Sequence, residues 1–600
     1  MAGSAADLFT EQTDRSLARL ARFWATARGY WKPGQSRIAW PLTISMAAVV
    51  LVSLAITYGL NLWNRHFFDA LQAKDAAVVL HQGLMFPLWV GGYLAMCVFA
   101  MWVRMTMQRT WRGFVNDRLL DRWLKRSHFY QLELIDGDHK NPEHRINDDV
   151  RIATEMPVDF VTGFITSVLS AATFFIVLWS VGGSLALPFA GGIVVPGFML
   201  WAALIYAAIA NGAMLLIGRR FVRTTQAKNQ AEAEYRYSLA RVRENAECIA
   251  LLRGAQAERA GIDKSFGRLL ARWTDLVGQQ MRAVIVSQGH AQLVGVVPLL
   301  LCTPRFLDGS MSLGQMMQIA SAFGIVQGAM SWLVDNYPRI AEWMASVRRV
   351  ATLLVAIDGL ETLEAARPAR VVTQKGGAVA LTLRGLSVHL CDGVPLVAAI
   401  DARVRAGEKV LLVGDSGTGK SALVRALAGV WPWRKGDVVA RSSADICVIP
   451  QRPYVPAGSL RRAVTYPLPP ECVSEDRIVD VLTAVGLDRF LPRLDEELPW
   501  PATLSEGQKQ RLAFARVLIH RPQILVLDEA TSALHVGAQA ELMQLIHDRL
   551  AGLTLISIGH RPELETFHER KLIMETAPAG ARIVADEPIV VAPSVRPAVA

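Results

Sequence analysis

Six apolar runs, the first of them WPLTISMAAVVLVSLAITYGL at 40–60, constrain this chain more than any other feature. A helix of roughly 20 apolar residues crosses a hydrocarbon core, and a helix satisfies its own backbone polar groups where no water can. The later runs fall near 84–103, 161–182, 198–218, 283–304 and 315–334, so the chain is expected to cross six times and return to its starting side. A 52% hydrophobic content and 16 tryptophans agree, because soluble domains carry less apolar residue and tryptophan collects at membrane interfaces.

Positive charge sets the orientation, since short loops rich in Lys and Arg stay cytoplasmic. The segment VGGSLALPFAGGIVVPG between the third and fourth runs has no Lys or Arg, whereas 104–160 and 219–282 are long, charged and helix-patterned. Those two stretches and both termini are therefore expected on the cytoplasmic side. Residues 1–38 are basic and polar, without the apolar core or small-residue cleavage site of a signal peptide, and read as a cytoplasmic segment. The net charge of +10 is spread between apolar runs rather than gathered into a stripe, which argues against nucleic acid as partner. The six cysteines are scattered, with no pair at metal-ligand spacing, and read as reduced thiols.

The membrane domain is expected to occupy 39–350, a linker 351–369, a second domain 370–576 and a mobile tail rich in Ala, Pro and Val 577–600. The second domain contains EKVLLVGDSGTGKSALVRALAG, an apolar strand, a glycine loop and a helix in immediate succession. That order predicts a phosphate-binding loop spanning Gly414, Asp415, Ser416, Gly417, Thr418, Gly419, Lys420, Ser421 and Ala422. Backbone N–H groups and the helix N-terminus would hold the phosphates of ATP, Lys420 the β and γ phosphates, and Ser421 the Mg2+ ion. In ILVLDEA a buried strand ends at Asp528, a second magnesium ligand, followed by Glu529, the candidate general base. An acidic helix cap would be the better reading of DEA alone; the glycine loop tips the balance.

Three further segments resemble the ATPases of ABC transporters: LSEGQKQRLAFARVLIHRP at 504–522, the signature motif; VIPQRPYVPAGSLRRAVTYP with Gln451, the Q-loop; and LISIGHR with His560, the switch histidine. The resemblance implies an ABC exporter-type fold: a six-span α-helical transmembrane domain followed by an α/β P-loop nucleotide-binding domain. It also implies that Ser505, Gly507 and Gln508 cap the γ phosphate of a nucleotide held by a second copy, that Gln451 senses or ligates magnesium, and that His560 senses the γ phosphate. One set of spans and one motor make a half-transporter, expected to act as a homodimer, with a heterodimer as the alternative. Within the family, NLWNRHFFDALQAKD, NPEHRINDDV and EAEYRYSLARVRENAECIALLRG resemble the SbmA/BacA-like ATP-binding permeases and the peroxisomal ABCD transporters. That resemblance implies transport of peptides or other hydrophilic compounds such as cobalamin, in the direction of uptake despite the exporter fold. The alternatives are a membrane-bound ABC regulator and a lipid or fatty-acyl transporter.

Two positions depart from the family pattern. Where an aromatic usually stacks on adenine, this chain has His389, Leu390 and Cys391, and His535 stands where a second aspartate follows the catalytic strand. Within the spans, Asn211, Gln288, His290 and Gln292 interrupt apolar runs, and Asp335 and Asn336 are expected to close the sixth. They are candidates for a translocation chamber or, equally, for hydrogen bonds between helices. The stretches around 135–150 and 225–254 are candidate contacts with the ATPase domain.

Overall fold

Each apolar run lies inside a helix much longer than itself. The computed structural model describes residues 16–135, 137, 140–187, 193–366, 371–373, 378–440 and 446–590. After a short amphipathic helix α1 (Ser16–Ala27) come α2 (Ala39–Gln72), α3 (Ala76–Leu124), α4 (Val150–Gly182), α5 (Phe198–Glu244), α6 (Ala255–Leu307) and α7 (Leu313–Ala366). Among the described residues, the helices of the first five runs are long and apolar enough to cross a membrane. The run within α7 is diluted by glutamines whose side-chain NH2 groups donate to neighbouring helices. Buried Gln318 donates to Asn61 Oδ1 at 3.2 Å, Asn61 donates back to the Gln318 carbonyl at 3.0 Å, and Gln327 donates to the Ala203 carbonyl at 2.8 Å. A polar helix can thus sit among apolar ones when its amides find protein partners.

The chain divides into two units. One comprises 20–119 and 141–351. Its core joins Phe174 and Leu178 of α4 and Met199 of α5 to Ile319, Phe323 and Val326 of α7. The segment without positive charge between α4 and α5 forms an antiparallel hairpin, β1 (Ser184–Leu187) with β2 (Ile193–Pro196). The motif NPEHRINDDV packs inside this unit rather than lying open as a solvated turn. Asp149 is fully buried and accepts from Arg349 Nε at 2.8 Å, while Arg145 donates to the Arg349 carbonyl at 2.8 Å.

The other unit comprises 1–19, 120–140 and 352–600. Among the described residues it holds two large sheets and a two-stranded antiparallel pair, Gly458–Ser459 with Glu497–Leu498. A four-stranded sheet has the order β3 (Val371–Thr373), β7 (Arg434–Ala440), β4 (Val379–His389), β5 (Pro395–Arg405). The six-stranded sheet runs β12 (Arg582–Pro588), β11 (Arg570–Glu575), β6 (Lys409–Gly414), β10 (Thr554–Ile558), β9 (Ile524–Asp528), β8 (Ile446–Ile449), parallel except for β12. Strand β9 reads as an unbroken apolar run because a central parallel strand is covered on both faces, and all of Ile524–Leu527 is buried. Helices α8 (Lys420–Leu427), α9 (Glu506–His520) and α10 (Val536–Arg549) follow β6, precede β9 and follow β9 respectively. Trp500, Phe514, Leu525 and Leu542 share one core there.

Two expected boundaries shift. Residues 351–366 of the stretch expected as linker continue α7 as helix. Asp335 and Asn336, expected to close the sixth span, lie within that same helix, with Asn336 Nδ2 donating to the Trp332 carbonyl at 2.9 Å. Part of the expected tail, Arg582–Pro588, is an edge strand held to β11 by an antiparallel ladder. The rest of that tail, 591–600, lies outside the described residues.

Candidate functional site

The site begins where β6 ends. Gly414 lies so close to β11 that a Cβ there would sit 2.5 Å from the Met574 carbonyl. Gly417 and Gly419 take φ of +86° and +79°, which side chains rarely tolerate, and Gly419 delivers the chain into α8. Thr418 Oγ1 donates to the Asp415 carbonyl at 2.8 Å and ties the loop to itself. Lys420 is buried, and its Nζ donates to the Gly414 and Asp415 carbonyls, each at 2.7 Å, and to Thr418 Oγ1 at 3.3 Å. Burial holds the Lys420 ammonium below the usual lysine range, opposed by the nearby carboxylates of Glu529, Asp415 and Asp528. Of the remaining loop residues, Ser416 is exposed and Ala422 turns into the core.

Next to the loop, Ser421 Oγ donates to Asp528 Oδ1 at 3.2 Å. Two neighbouring ligands of an octahedral magnesium ion lie about 2.9 Å apart, given metal–oxygen distances near 2.1 Å. The hydroxyl–carboxylate pair fits that ion with a small adjustment. Burial pushes the Asp528 carboxyl up from the usual range, with the Ser421 hydrogen bond acting the other way and Glu529 adding to the rise. A dication between them would favour the ionised carboxylate.

Glu529 is held from two sides. Gln451 Nε2 donates to its Oε2 at 3.0 Å, and His560 Nε2 lies 3.5 Å from its Oε1. The Glu529 backbone is left-handed, φ +51°, and its N–H bonds the Ile558 carbonyl at the end of β10 at 3.1 Å. Such a conformation persists only where the surroundings enforce it. Gln451 and His560 come from the ends of β8 and β10, the strands on either side of β9, so the parallel sheet itself brings the three together.

Ser505, Gly507 and Gln508 touch a different set of residues. They open α9 with a capping box, in which Ser505 Oγ accepts the Gln508 N–H at 3.4 Å and Gln508 Oε1 accepts the Ser505 N–H at 3.0 Å. A Cβ on Gly507 would lie 3.3 Å from the Ala533 carbonyl. Beyond β9, His535 caps α10: its Nδ1 accepts the Ala538 N–H at 3.1 Å. On the opposite side of the loop, His389 and Cys391 are half-buried, and the His389 carbonyl accepts from Trp431 Nε1 at 2.9 Å.

Sequence reasoning missed the residues that join these parts. Gln510, 1% exposed, donates to the Gln451 carbonyl at 3.3 Å and to Ser532 Oγ at 3.4 Å, and accepts the Ala533 N–H at 3.1 Å. Arg561, next to His560, donates to the Ser532 and Leu534 carbonyls, both at 2.9 Å, and to Gln539 Oε1 at 3.1 Å. The signal for Gln510 was an amide on the apolar face of α9, where burial is costly unless partners exist.

A helical membrane domain continuous with a nucleotide-binding domain of this geometry defines a membrane transporter powered by ATP. Family models agree. Residues 28–307 match the "ABC transporter transmembrane region 2" and residues 397–532 the "ABC transporter" ATPase region. An ABC transporter ATP-binding protein of Synechocystis is 31% identical over 547 residues, 88% of this chain and 79% of that one. The inner membrane ABC transporter ATP-binding protein YddA of Escherichia coli is 28% identical over 90% of this chain and 95% of its own length. Among solved structures, a bacterial Atm1-family ABC exporter with ATP bound superposes with a TM-score of 0.67 at 16% identity, covering 92% of this chain and 95% of that one. The chain belongs to the ABC transporter family as a half-transporter, its membrane domain fused to an ATPase domain that binds ATP and couples its hydrolysis to transport.

Proposed function

We propose that two copies of this chain form a homodimer in a bacterial plasma membrane, ATPase domains in the cytoplasm, and move peptides or other hydrophilic compounds such as cobalamin inward. The observation that carries the motor half of this reading is the held carboxylate of Glu529, gripped by Gln451 and His560 beside the Ser421–Asp528 pair. Glu529 accepts a proton from the attacking water, and its two neighbours fix the carboxylate that does so. Lys420, the loop N–H groups and the start of α8 bind the β and γ phosphates. Ser421 and Asp528, with Gln451 near them, hold magnesium, which when bound neutralises charge on the transferring phosphoryl group. Ser505, Gly507 and Gln508 of one copy close over the γ phosphate held by the other.

For the substrate, the support is the likeness to the lysosomal cobalamin transporter ABCD4 of Mus musculus, 27% identical over 76% of this chain; the direction rests on the resemblance of NLWNRHFFDALQAKD and NPEHRINDDV to SbmA/BacA-like permeases. Asn211 leaves the candidate chamber, because its amide donates to the Met330 carbonyl at 3.2 Å. Gln288 and Gln292 are exposed on α6, and His290 packs against the Tyr206 ring, 5.3 Å between centroids. The test is ATP hydrolysis and radiolabelled uptake in proteoliposomes. Magnesium-dependent turnover that falls on the order of 10²–10⁴-fold in Glu529→Gln supports the motor, and peptide or cobalamin accumulating only with ATP supports the cargo and direction. Turnover with no accumulation of either would overturn the substrate reading while leaving the motor.

A further inference from the structure

In the first-described unit, α3, α7 and the first turns of α4 bring four arginines to two carboxylates. Asp159, at the start of the third apolar run, lies 3.3 Å from Arg339 of α7 and 3.8 Å from Arg104 of α3, and accepts from Gln108 at 2.9 Å. Glu155, one turn earlier, is matched by Arg112 at 3.5 Å and Arg151 at 3.7 Å. Two positive charges are left over. The Arg104 Nε is buried without a hydrogen-bond partner, while the rest of that side chain and the Arg339 side chain remain 43% and 49% exposed. Arg104 follows directly on the second apolar run, Asp159 precedes the third and Arg339 follows the sixth. All three therefore belong at one membrane surface, the cytoplasmic one by the charge rule.

Arg104, Asp159 and Arg339 line a cavity of about 630 Å³. A second cavity of about 450 Å³ shares Met46, Val50 and Thr162 with the first, and its wall is almost wholly apolar, built from Trp24, Trp111, Val161 and their neighbours. Both volumes are in the range of small-molecule sites. A cationic chamber at the depth of the head groups thus opens beside a dry chamber large enough for hydrocarbon.

We infer that this pair of chambers binds an anionic glycerophospholipid of the cytoplasmic leaflet, its phosphate on Arg104 and Arg339 and an acyl chain against Val50, Val161 and Ile165, the part of the apolar wall on the bilayer side of Arg104. Guanidinium forks suit a phosphate better than a neutral head group, and the excess of two cations gives the lipid a counter-charge that Asp159 alone does not supply. The site lies in a different unit from the ATP chemistry. It makes the protein a reader of the charge of the membrane around it.

The test uses the full chain in nanodiscs of equal phosphatidylglycerol and phosphatidylcholine, followed by native mass spectrometry of the lipids it retains. Wild type should keep phosphatidylglycerol in preference, and each of Arg104→Ala and Arg339→Ala should reduce that preference roughly fivefold. Val161→Trp, which fills the apolar chamber and leaves every charge in place, should displace the same lipid. Arg272→Ala, on an exposed stretch of α6, should change nothing. Equal retention of the two lipids by wild type, or a preference untouched by the arginine variants, would overturn the proposal. Displacement of the lipid by inorganic phosphate would also overturn it, because the anion alone would then account for the site. Unfolding of an arginine variant leaves Val161→Trp to decide.

Discussion

Two histidines of the ATPase domain show how one ring does different work in different surroundings. His535 replaces a carboxylate, yet its Nδ1 takes the N–H that a capping aspartate would take. The departure therefore preserves the cap and, with Lys420, Ser421, Asp528 and Glu529 in place, is compatible with a working motor. His535→Ala should destabilise the domain by about 1 kcal/mol, while His535→Asp should match or exceed wild type, since a carboxylate also suits a helix N-terminus; thermal unfolding of the purified protein checks both. His568 is buried, with Nδ1 on the Leu564 carbonyl at 2.6 Å and Nε2 on Ser557 Oγ at 2.8 Å. Burial pushes its pKa down to about 4, the hydrogen bond to Leu564 opposing and Lys409 adding to the fall. Because the unfolded chain binds the proton near pH 6.5 and the folded one does not until about 4, this stability is fully present above 6.5. It is lost as pH falls from there to about 4, by roughly 3 kcal/mol. Stability measured from pH 7 to 4 should fall more steeply in wild type than in His568→Asn; equal slopes would show that other groups control the acid limb.

At the scale of elements, the strand–loop–helix of the phosphate site was legible because glycine spacing, an apolar strand and a helix start all fell in ten or so letters, and local pattern is what a sequence displays best. Gln451, Glu529 and His560 were also legible one by one, each at the end of an apolar run. What joins them was not, since contacts across a parallel sheet depend on which strands are neighbours. Gln510 and Arg561 illustrate the loss: each looks like an ordinary helix or loop residue, and only the packing shows them fixing the backbone at 451 and 532–534. The reach of α7 to Ala366 was only partly legible, because Gly359 lies inside the helix without ending it and the Pro at 368 marks its stop only loosely. That extension is itself clamped, with Arg122 donating to Glu361 Oε2 at 2.8 Å and Arg126 to Glu364 Oε2 at 2.8 Å, while Gln131 reaches the Val430 carbonyl at 3.4 Å. Inside the ATPase unit these bonds join residues 122–126 to the end of α7 and, through Gln131, the same stretch to the segment before β7. Gln510→Leu keeps the bulk of the side chain and removes its three hydrogen bonds, so ATP binding should be little changed while turnover falls about tenfold. A rise in KM with unchanged kcat would show that Gln510 serves binding and not the placement of Gln451 and the 532–534 turn.

At the scale of the molecule, the family resemblance demands a second copy, because the residues that open α9 contact the 532–534 turn and none of their described hydrogen bonds reach the phosphate loop. If the ATP site is shared, with the loop from one copy and the start of α9 from the other, two inactive variants should rescue one another. Lys420→Ala removes the loop cation and Ser505→Arg blocks the α9 start; a dimer of either alone has two defective sites. A mixed dimer places the intact loop of one variant opposite the intact α9 of the other, which restores one site, and puts both defects into the second. Random pairing at equal amounts makes half the dimers mixed, so about a quarter of all sites should be intact under twofold symmetry. Co-expressed variants carrying different affinity tags, purified through both tags, isolate the mixed dimer, and its hydrolysis rate per dimer should approach half of wild type if the sites act independently. A rate at background would mean either that each copy completes its own site or that both sites must close together. A covalently linked dimer with both lesions placed in one copy separates those outcomes. It stays inactive when the two sites must close together and recovers about half of wild-type turnover when each copy is self-sufficient.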